Sequence, residues 1–180
     1  MVIRTAVDNG IDYFDHADIY GRGTSEEIFG KAFKELGIAR DSVMLQTKCG
    51  IVPGVMFDFS KEHIIASVEG SLKRLQTDYV DALLLHRPDT LMEPEEVAEA
   101  FDALHKAGKV RHFGVSNQNP MQIELLKKAV TQPLLINQLQ LSLTHAPMID
   151  AGFNVNMVNN PSFMHDGSVL EYSRISDMTI

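Results

Sequence analysis

Asp15 and Tyr20 stand five residues apart in Phe14-Asp-His-Ala-Asp-Ile-Tyr20, a carboxylate and a phenol on one short stretch. Farther along come Lys48, His86, Ser116 with Asn117, and Asn137 with Gln138, each at the end of an apolar run. A free tyrosine titrates at about pH 10, so at neutral pH it keeps its proton and gives it up reluctantly. A lysine cation within a few ångströms stabilises the phenolate and makes the hydroxyl a better acid. A carboxylate beside that lysine would hold it charged and oriented. A histidine nearby can position a carbonyl oxygen or share the proton. Such a set suits protonation of an oxygen while a carbonyl is reduced. None of these side chains supplies a hydride, so a cofactor is required.

Each residue alone has an ordinary structural explanation. Asp15 could satisfy backbone amides of its own loop, and Tyr20 could be a half-buried ring with a wet hydroxyl. Lys48 could be a solvated lysine, His86 a buried hydrogen-bonded ring, and Ser116 and Asn117 turn or capping residues. Cys49 reads as an inert thiol, since no His–Asn arrangement around it is legible. His16, His63, His105, His112, His145 and His165 show no metal-ligand spacing, so no metal is expected. These explanations do not account for a usable side chain at one strand end after another.

The elements that would position these groups alternate in type. Residues 1–9 read as a helix stopped by Gly10, and Ile11–Phe14 as a half-apolar strand. Gly21-Arg-Gly23 reads as a turn and Thr24-Ser-Glu-Glu27 as a capping box. The helix behind it carries Ile28, Phe29, Ala32, Phe33 and Leu36 on one face and stops at Gly37. Val43–Thr47 is a strand ending at Lys48, followed by a loop with Pro53 and Gly54. Ser60 caps a helix with Ile64, Ile65, Val68, Leu72 and Leu75 inward. Tyr79–Leu85 is nearly continuous in apolar residues, as a strand buried on both faces should be, and ends at His86. A helix over Pro94–Ala107 stops at Gly108, and a strand over about Arg111–Val115 delivers Ser116 and Asn117. Asn119 caps a helix with Pro120 at its first position, running to Val130. Leu134–Gln138 is the fifth strand. Residues 139–166 read as a loop, Gly167–Ile175 as a last helix, and Asp177–Ile180 as a strand just beginning.

Strands alternating with helices of this length imply right-handed βαβ units and a parallel sheet. No GxGxxG follows the first strand and no P-loop sequence occurs, which disfavours a nucleotide-binding open sheet and favours a barrel. In a barrel all strand ends open on one face, and the scattered side chains converge there. At 180 residues and 44% hydrophobic, the chain reads as a single domain, residues 1–180, with a real core. A formal charge of −8 argues against nucleic acid or anionic membrane as partners. No apolar run approaches the roughly 20 residues that span a bilayer, and the N-terminus lacks the pattern of a signal peptide. With Cys49 the only cysteine, no internal disulfide can form. A soluble cytoplasmic protein is the expectation.

Phe14-Asp-His-Ala-Asp-Ile-Tyr20-Gly, Gln46-Thr-Lys48, Leu84-Leu-His86-Arg-Pro-Asp89, Gly114-Val-Ser-Asn117 and Asn137-Gln138 together resemble the aldo-keto reductase family, nearest to its bacterial short-loop branch. The resemblance runs along essentially the whole chain in order and spacing. It implies an NADPH-dependent reductase of aldehydes and ketones on a (β/α)8 barrel, with a small-molecule carbonyl compound as substrate. By position it makes Tyr20 the general acid, Lys48 and Asp15 its tuning pair, and His86 the residue that orients the substrate. Ser116, Asn117 and Gln138 match the residues that hold the nicotinamide carboxamide.

Two departures go with the resemblance. His16 stands where the family more commonly has Thr. The chain also has about five of the eight barrel strands, so the expected fold is an incomplete (β/α)8 TIM barrel, truncated at both ends. The aromatic platform under the nicotinamide and the phosphate contacts of the family would fall beyond Ile180. Residues 1–180 by themselves are therefore expected neither to bind NADPH tightly nor to reduce carbonyls, and to self-associate through open sheet edges. The other readings are a catalytically inactive fragment and a barrel-like binding or regulatory subunit, as occurs in this family beside ion channels.

Overall fold

The computed structural model describes residues 2–153 and 167–180. In chain order the elements are α1 (Val2–Asp8), β1 (Tyr13–Asp15), α2 (Thr24–Leu36), β2 (Met44–Cys49), β3 (Ile51–Val52), β4 (Met56–Phe57), α3 (Lys61–Leu75), β5 (Val80–Leu85), α4 (Pro94–Lys106), β6 (Val110–Ser116), α5 (Pro120–Lys127), β7 (Leu134–Gln138), α6 (Pro147–Phe153) and α7 (Val169–Ile175). Five strands form one sheet in the order β1-β2-β5-β6-β7, and every pairing is parallel. A doubly wound sheet reverses its strand order at a switch point. This sheet never reverses, which is the winding of a barrel wall. It is a curled half-barrel with its helices on the convex side, the incomplete (β/α)8 barrel that the alternation implies.

The side-chain period of two sorts the strand residues cleanly. Leu45 and Cys49 of β2, Leu83 and Leu85 of β5, and Phe113 and Val115 of β6 join the core beneath the helices. The helices answer with Phe29 and Phe33, Ile64, Val68 and Leu72, Val97, Phe101 and Leu104, and Ile123 and Leu126. Phe101 and Phe113 stack with ring centroids 4.2 Å apart. The alternate residues, Tyr13, Gln46, Ala82, His112 and Gln138 among them, line a cavity of about 680 Å³ on the concave side.

Local signals decide where elements begin and end. Gly10, at φ 79°, lets α1 close with Ile11 N donating to Ala6 O and Gly10 N to Val7 O, a Schellman ending. Ser60 Oγ accepts from His63 N to cap α3, and Asn119 and Gln122 form a reciprocal capping box on α5. At the strands' amino ends buried Asp81 accepts from Arg40, from Arg111 and from Leu45 N. That one carboxylate ties β2, β5 and β6 together.

Several expectations give way to the structure. The Thr24–Glu27 capping box does not form. Gly23 takes the N-cap position, and Thr24 Oγ1 donates to Gly21 O instead. Ile28 is 70% exposed, because α2 packs through Glu26, Phe29, Gly30 and Phe33. The loop after Lys48 folds into the β3–β4 hairpin, and part of the loop after Gln138 folds into α6. The remainder of that loop, residues 154–166, lies outside the described residues. The nascent last strand is a single parallel bridge, Thr179 to Ile136. Among the described residues no helix is long and apolar enough to cross a membrane.

α2 and α3 touch at Gly30, where a Cβ would meet Arg74 O at 2.5 Å and Leu75 C at 2.6 Å. Backbone cannot step aside as a side chain can. Gly30→Ala should therefore lower stability by about 1–3 kcal/mol in spite of alanine's better helix propensity. A urea denaturation midpoint at or above that of the unaltered chain would contradict this packing.

Candidate active site

The carboxyl ends of β1, β2, β5, β6 and β7 deliver Asp15, Lys48, His86, Ser116 with Asn117, and Gln138 to one side of the sheet. Lys48 is 2% exposed. A buried ammonium requires acceptors, and it finds Asp15 Oδ1 at 2.6 Å and the His16 carbonyl at 2.7 Å. Tyr20 lies beside it, with its ring centroid 5.0 Å from Lys48 Nζ. The His86 ring meets the Tyr20 ring edge-on, centroids 5.7 Å apart at 79°. The four residues expected to carry the chemistry thus adjoin in series, Asp15 to Lys48 to Tyr20 to His86. Tyr20 is 39% exposed, so a small molecule can reach the phenol.

Asp15 is the hub. Besides Lys48, it accepts from Gln46 Nε2 at 2.6 Å and from Gln138 Nε2 at 2.9 Å. Burial works to raise its pKa, but the hydrogen bonds from Gln138, Lys48 and Gln46 and the lysine's charge prevail and hold it below the usual carboxylate value. Gln46 in turn accepts from Tyr13 OH at 2.7 Å. His86 is driven the other way. Burial first, then the positive charges of Lys48 and Arg87, push its pKa down to about 4, so the ring is neutral at neutral pH. Its Nδ1 is buried without a hydrogen-bond partner.

Ser116, Asn117 and Gln138 adjoin one another. Ser116 Oγ donates to Gln138 O at 3.0 Å and accepts from Asn117 Nδ2 at 2.9 Å. Asn117 sits in the left-handed region, φ 57°, with its N–H donating to Gln138 O. Gln138 Oε1 is buried and has no partner. A buried orphan acceptor costs free energy unless something donates to it, and the NH2 of a carboxamide would do so. Asn137 falls on the other side of β7, fully buried, donating to Gln118 O at 2.9 Å.

Cys49 is buried, and desolvation together with the Asp18 charge pushes its thiol far up, out of nucleophilic range. Among the described residues no group of three or more His, Cys, Asp or Glu is placed to hold a metal ion. Gln46, part of the site, was not among the expected functional residues. Its signal was present: it precedes Lys48 by two residues on one strand and so shares its face.

A family model described as Aldo/keto reductase family matches residues 1–158. An uncharacterized oxidoreductase of Bacillus subtilis (strain 168), YcsN, is 46% identical over 164 residues, covering 86% of this chain and 55% of its own length. The oxidoreductase YdhF of Escherichia coli (strain K12) is 43% identical over 154 residues, covering 82% of this chain and 52% of its own. A crystal structure of the thermostable aldo-keto reductase Tm1743, with the inhibitor epalrestat, superposes with TM-score 0.79 at 28% identity, over 99% of this chain and 57% of the other. The chain spans about half the length of the curated relatives it matches.

The depressed pKa of His86 has a consequence for acid stability. A histidine titrating at about 4 when folded and 6.5 when unfolded contributes stability that is complete above 6.5 and lost as pH falls toward 4. His86→Gln should flatten the fall in denaturation midpoint over that window. In the unaltered chain the ring carbon resonances of His86 should stay at their neutral positions down to about pH 5. A midpoint of titration above pH 6 would remove the neutral-ring assignment.

Proposed function

The chain belongs to the aldo/keto reductase family, and from that premise we propose that its site reduces aldehydes and ketones to alcohols, with NADPH as cofactor and Tyr20 as proton donor. The observation that carries this reading is the contact among Asp15, Lys48, Tyr20 and His86, one charge buried and one phenol left accessible. NADPH, when bound, would supply the hydride to the carbonyl carbon. Ser116, Asn117 and Gln138 would hold its carboxamide, with Gln138 Oε1 as the acceptor that now lacks a donor.

The work of the chain's own residues follows from their surroundings. As negative charge grows on the carbonyl oxygen, Tyr20 transfers its proton there. The Lys48 ammonium, fixed by Asp15 and the His16 carbonyl, stabilises the phenolate left behind. His86, neutral, can donate one hydrogen bond to the same oxygen without competing as an acid. Asp15 never needs to change charge; it keeps Lys48 in place. Through Gln138 it also links that lysine to the carboxamide site.

The substrate would be a small carbonyl compound. A second copy of the chain, meeting the edge of β1, is the macromolecular partner we propose, since among the described residues that strand pairs only with β2. The lone buried Cys49 suits a reducing compartment, and we assign the protein to the cytoplasm.

In a chain extended to the length of its relatives, Tyr20→Phe should lower kcat and kcat/KM for a generic aldehyde together, by at least about 100-fold, because the phenol acts in the transition state. NADPH affinity, followed by cofactor fluorescence, should change less than about twofold. Comparable turnover by the Phe variant would sink the assignment. Lys48→Met should remove most activity and displace the pH profile of the remainder. An unchanged profile would mean that Lys48 does not act on the acid. Binding of NADPH with no turnover of any aldehyde by the chain extended to the length of its relatives would replace the reductase by a binding subunit.

A further inference from the structure

Behind the Tyr20 loop lies a second polar cluster that the proposed reaction leaves unused. Glu26 of α2 is 0% exposed, accepting from Thr47 Oγ1 at 2.6 Å and from Arg74 Nε at 2.7 Å. Asp18 enters the same region from the loop between Asp15 and Tyr20. Ser67 of α3, whose Oγ lies 3.4 Å from His63 Nε2, stands near the Asp18 carboxyl and favours its ionised form. Asp18 Oδ1 is buried and has no hydrogen-bond partner. The groups facing it are Glu26 from α2, His63, Ser67 and Arg74 from α3, and Cys49 from β2; Asp58 stands beyond, 3.8 Å from the His63 ring. Two carboxylates therefore share this pocket with one guanidinium, and Glu26 already holds it. Ionised Asp18 is short of a donor.

The loop backbone ties this carboxyl to the site. His16 N donates to Gln46 O at 2.9 Å, Asp18 N to Lys48 O at 3.1 Å, and Tyr20 N to Ala17 O at 3.1 Å. A push on Asp18 acts on the segment that sets Tyr20 against Lys48. We propose that Asp18 is a positioning residue for Tyr20, whose carboxyl, by gaining or losing one proton against the Glu26 cluster, tightens or loosens the loop that carries the phenol. Burial, and then the Glu26 charge, raise the Asp18 pKa from 3.8 to about 6. An acid raised in this way binds its proton more tightly when folded. Its stabilisation is complete below 3.8 and is lost as pH rises through about 6. The loop is thus held tightest in mild acid and is looser at neutral pH. Only the catalytic consequence rests on the role proposed for Tyr20; the response of the loop does not.

The test is hydrogen exchange of the segment 15–20 in the purified chain at pH 5 and pH 8, corrected for intrinsic rates, in parallel with aldehyde reduction by a chain extended to the length of its relatives. Protection in the unaltered chain should be up to about tenfold greater at pH 5, which is what linkage gives at that pH for a carboxyl of pKa 3.8 in the open loop and about 6 in the closed one. In Asp18→Asn protection should be equal at the two pH values. Ser67→Ala, which leaves the loop itself untouched but removes a group that favours the carboxylate, should move the transition to higher pH. Equal protection at both pH values in the unaltered chain, or the same pH dependence in Asp18→Asn, would overturn the proposal. So would a Ser67→Ala transition that stays in place or moves down. A pH-dependent loop in this chain, beside a chain extended to the length of its relatives that shows no turnover, would instead count against the reductase reading and leave this one standing.

Discussion

Everything at the carboxyl end of the sheet depends on one buried ammonium. Taking a lysine head out of water costs several kcal/mol unless its donors are met. Lys48 meets that cost with a carboxylate from β1 and a carbonyl from the residue after it. Both acceptors lie where β1 runs into its loop. The lysine therefore fixes the exit of that loop, and with it the direction in which residues 16–20 leave the sheet. Tyr20 sits where it does because the chain between it and Asp15 is short and pinned at its root. Tyr20 itself stays accessible, so a buried lysine holds the root of the loop that carries an exposed phenol.

Asp15 extends this constraint across the sheet. Gln138 Nε2 reaches it at 2.9 Å, although β1 and β7 are the two outer strands of five. Four strand spacings of about 4.8 Å would separate them by roughly 19 Å in a flat sheet. A Gln and an Asp side chain together cannot span that distance. The bond is possible only because the sheet curls, as strands tilted and staggered in register into a barrel wall do. That curvature brings together two residues 123 positions apart, and the hydrogen bond reports it at the level of single atoms.

The parts legible in the sequence were those set by local pattern. Leu134–Gln138 and the caps at Ser60 and Asn119 follow from alternation, capping chemistry and Pro at N1. Strand ends bearing polar groups were equally plain, since Lys48 and His86 break apolar runs. What stayed hidden depends on partners distant in sequence. Glu26 reads as a first-turn acid with a dipole role, and nothing nearby announces that Arg74, 48 residues on, will bury it. The same tertiary pull undid the Thr24–Glu27 box, because α2 turns Glu26 inward and begins from a left-handed glycine. Ile28 fits a helical stripe on paper yet lies outside the arc that α3 and the sheet cover. The β3–β4 hairpin escaped notice because two-residue strands carry too little periodicity to show.

The two ends of the sheet show what separates a structural carboxylate from a functional one. Asp81, at the amino ends, is buried and takes two arginines and a backbone N–H. Both arginines also lie over the Tyr79 ring, at 4.0 and 3.9 Å. In that cluster every oxygen of the carboxylate is met by a donor of the chain itself. Asp15 takes as many donors, but the groups around it are left incomplete: Gln138 Oε1 and His86 Nδ1 are buried without partners, and Tyr20 is open to solvent. Each orphan costs stability that the fold could recover by closing the site as it closed the other end. Unmet hydrogen-bonding capacity concentrated beside a held charge is what a substrate or cofactor can satisfy, and it lies at the strand ends from which barrel folds present their chemistry.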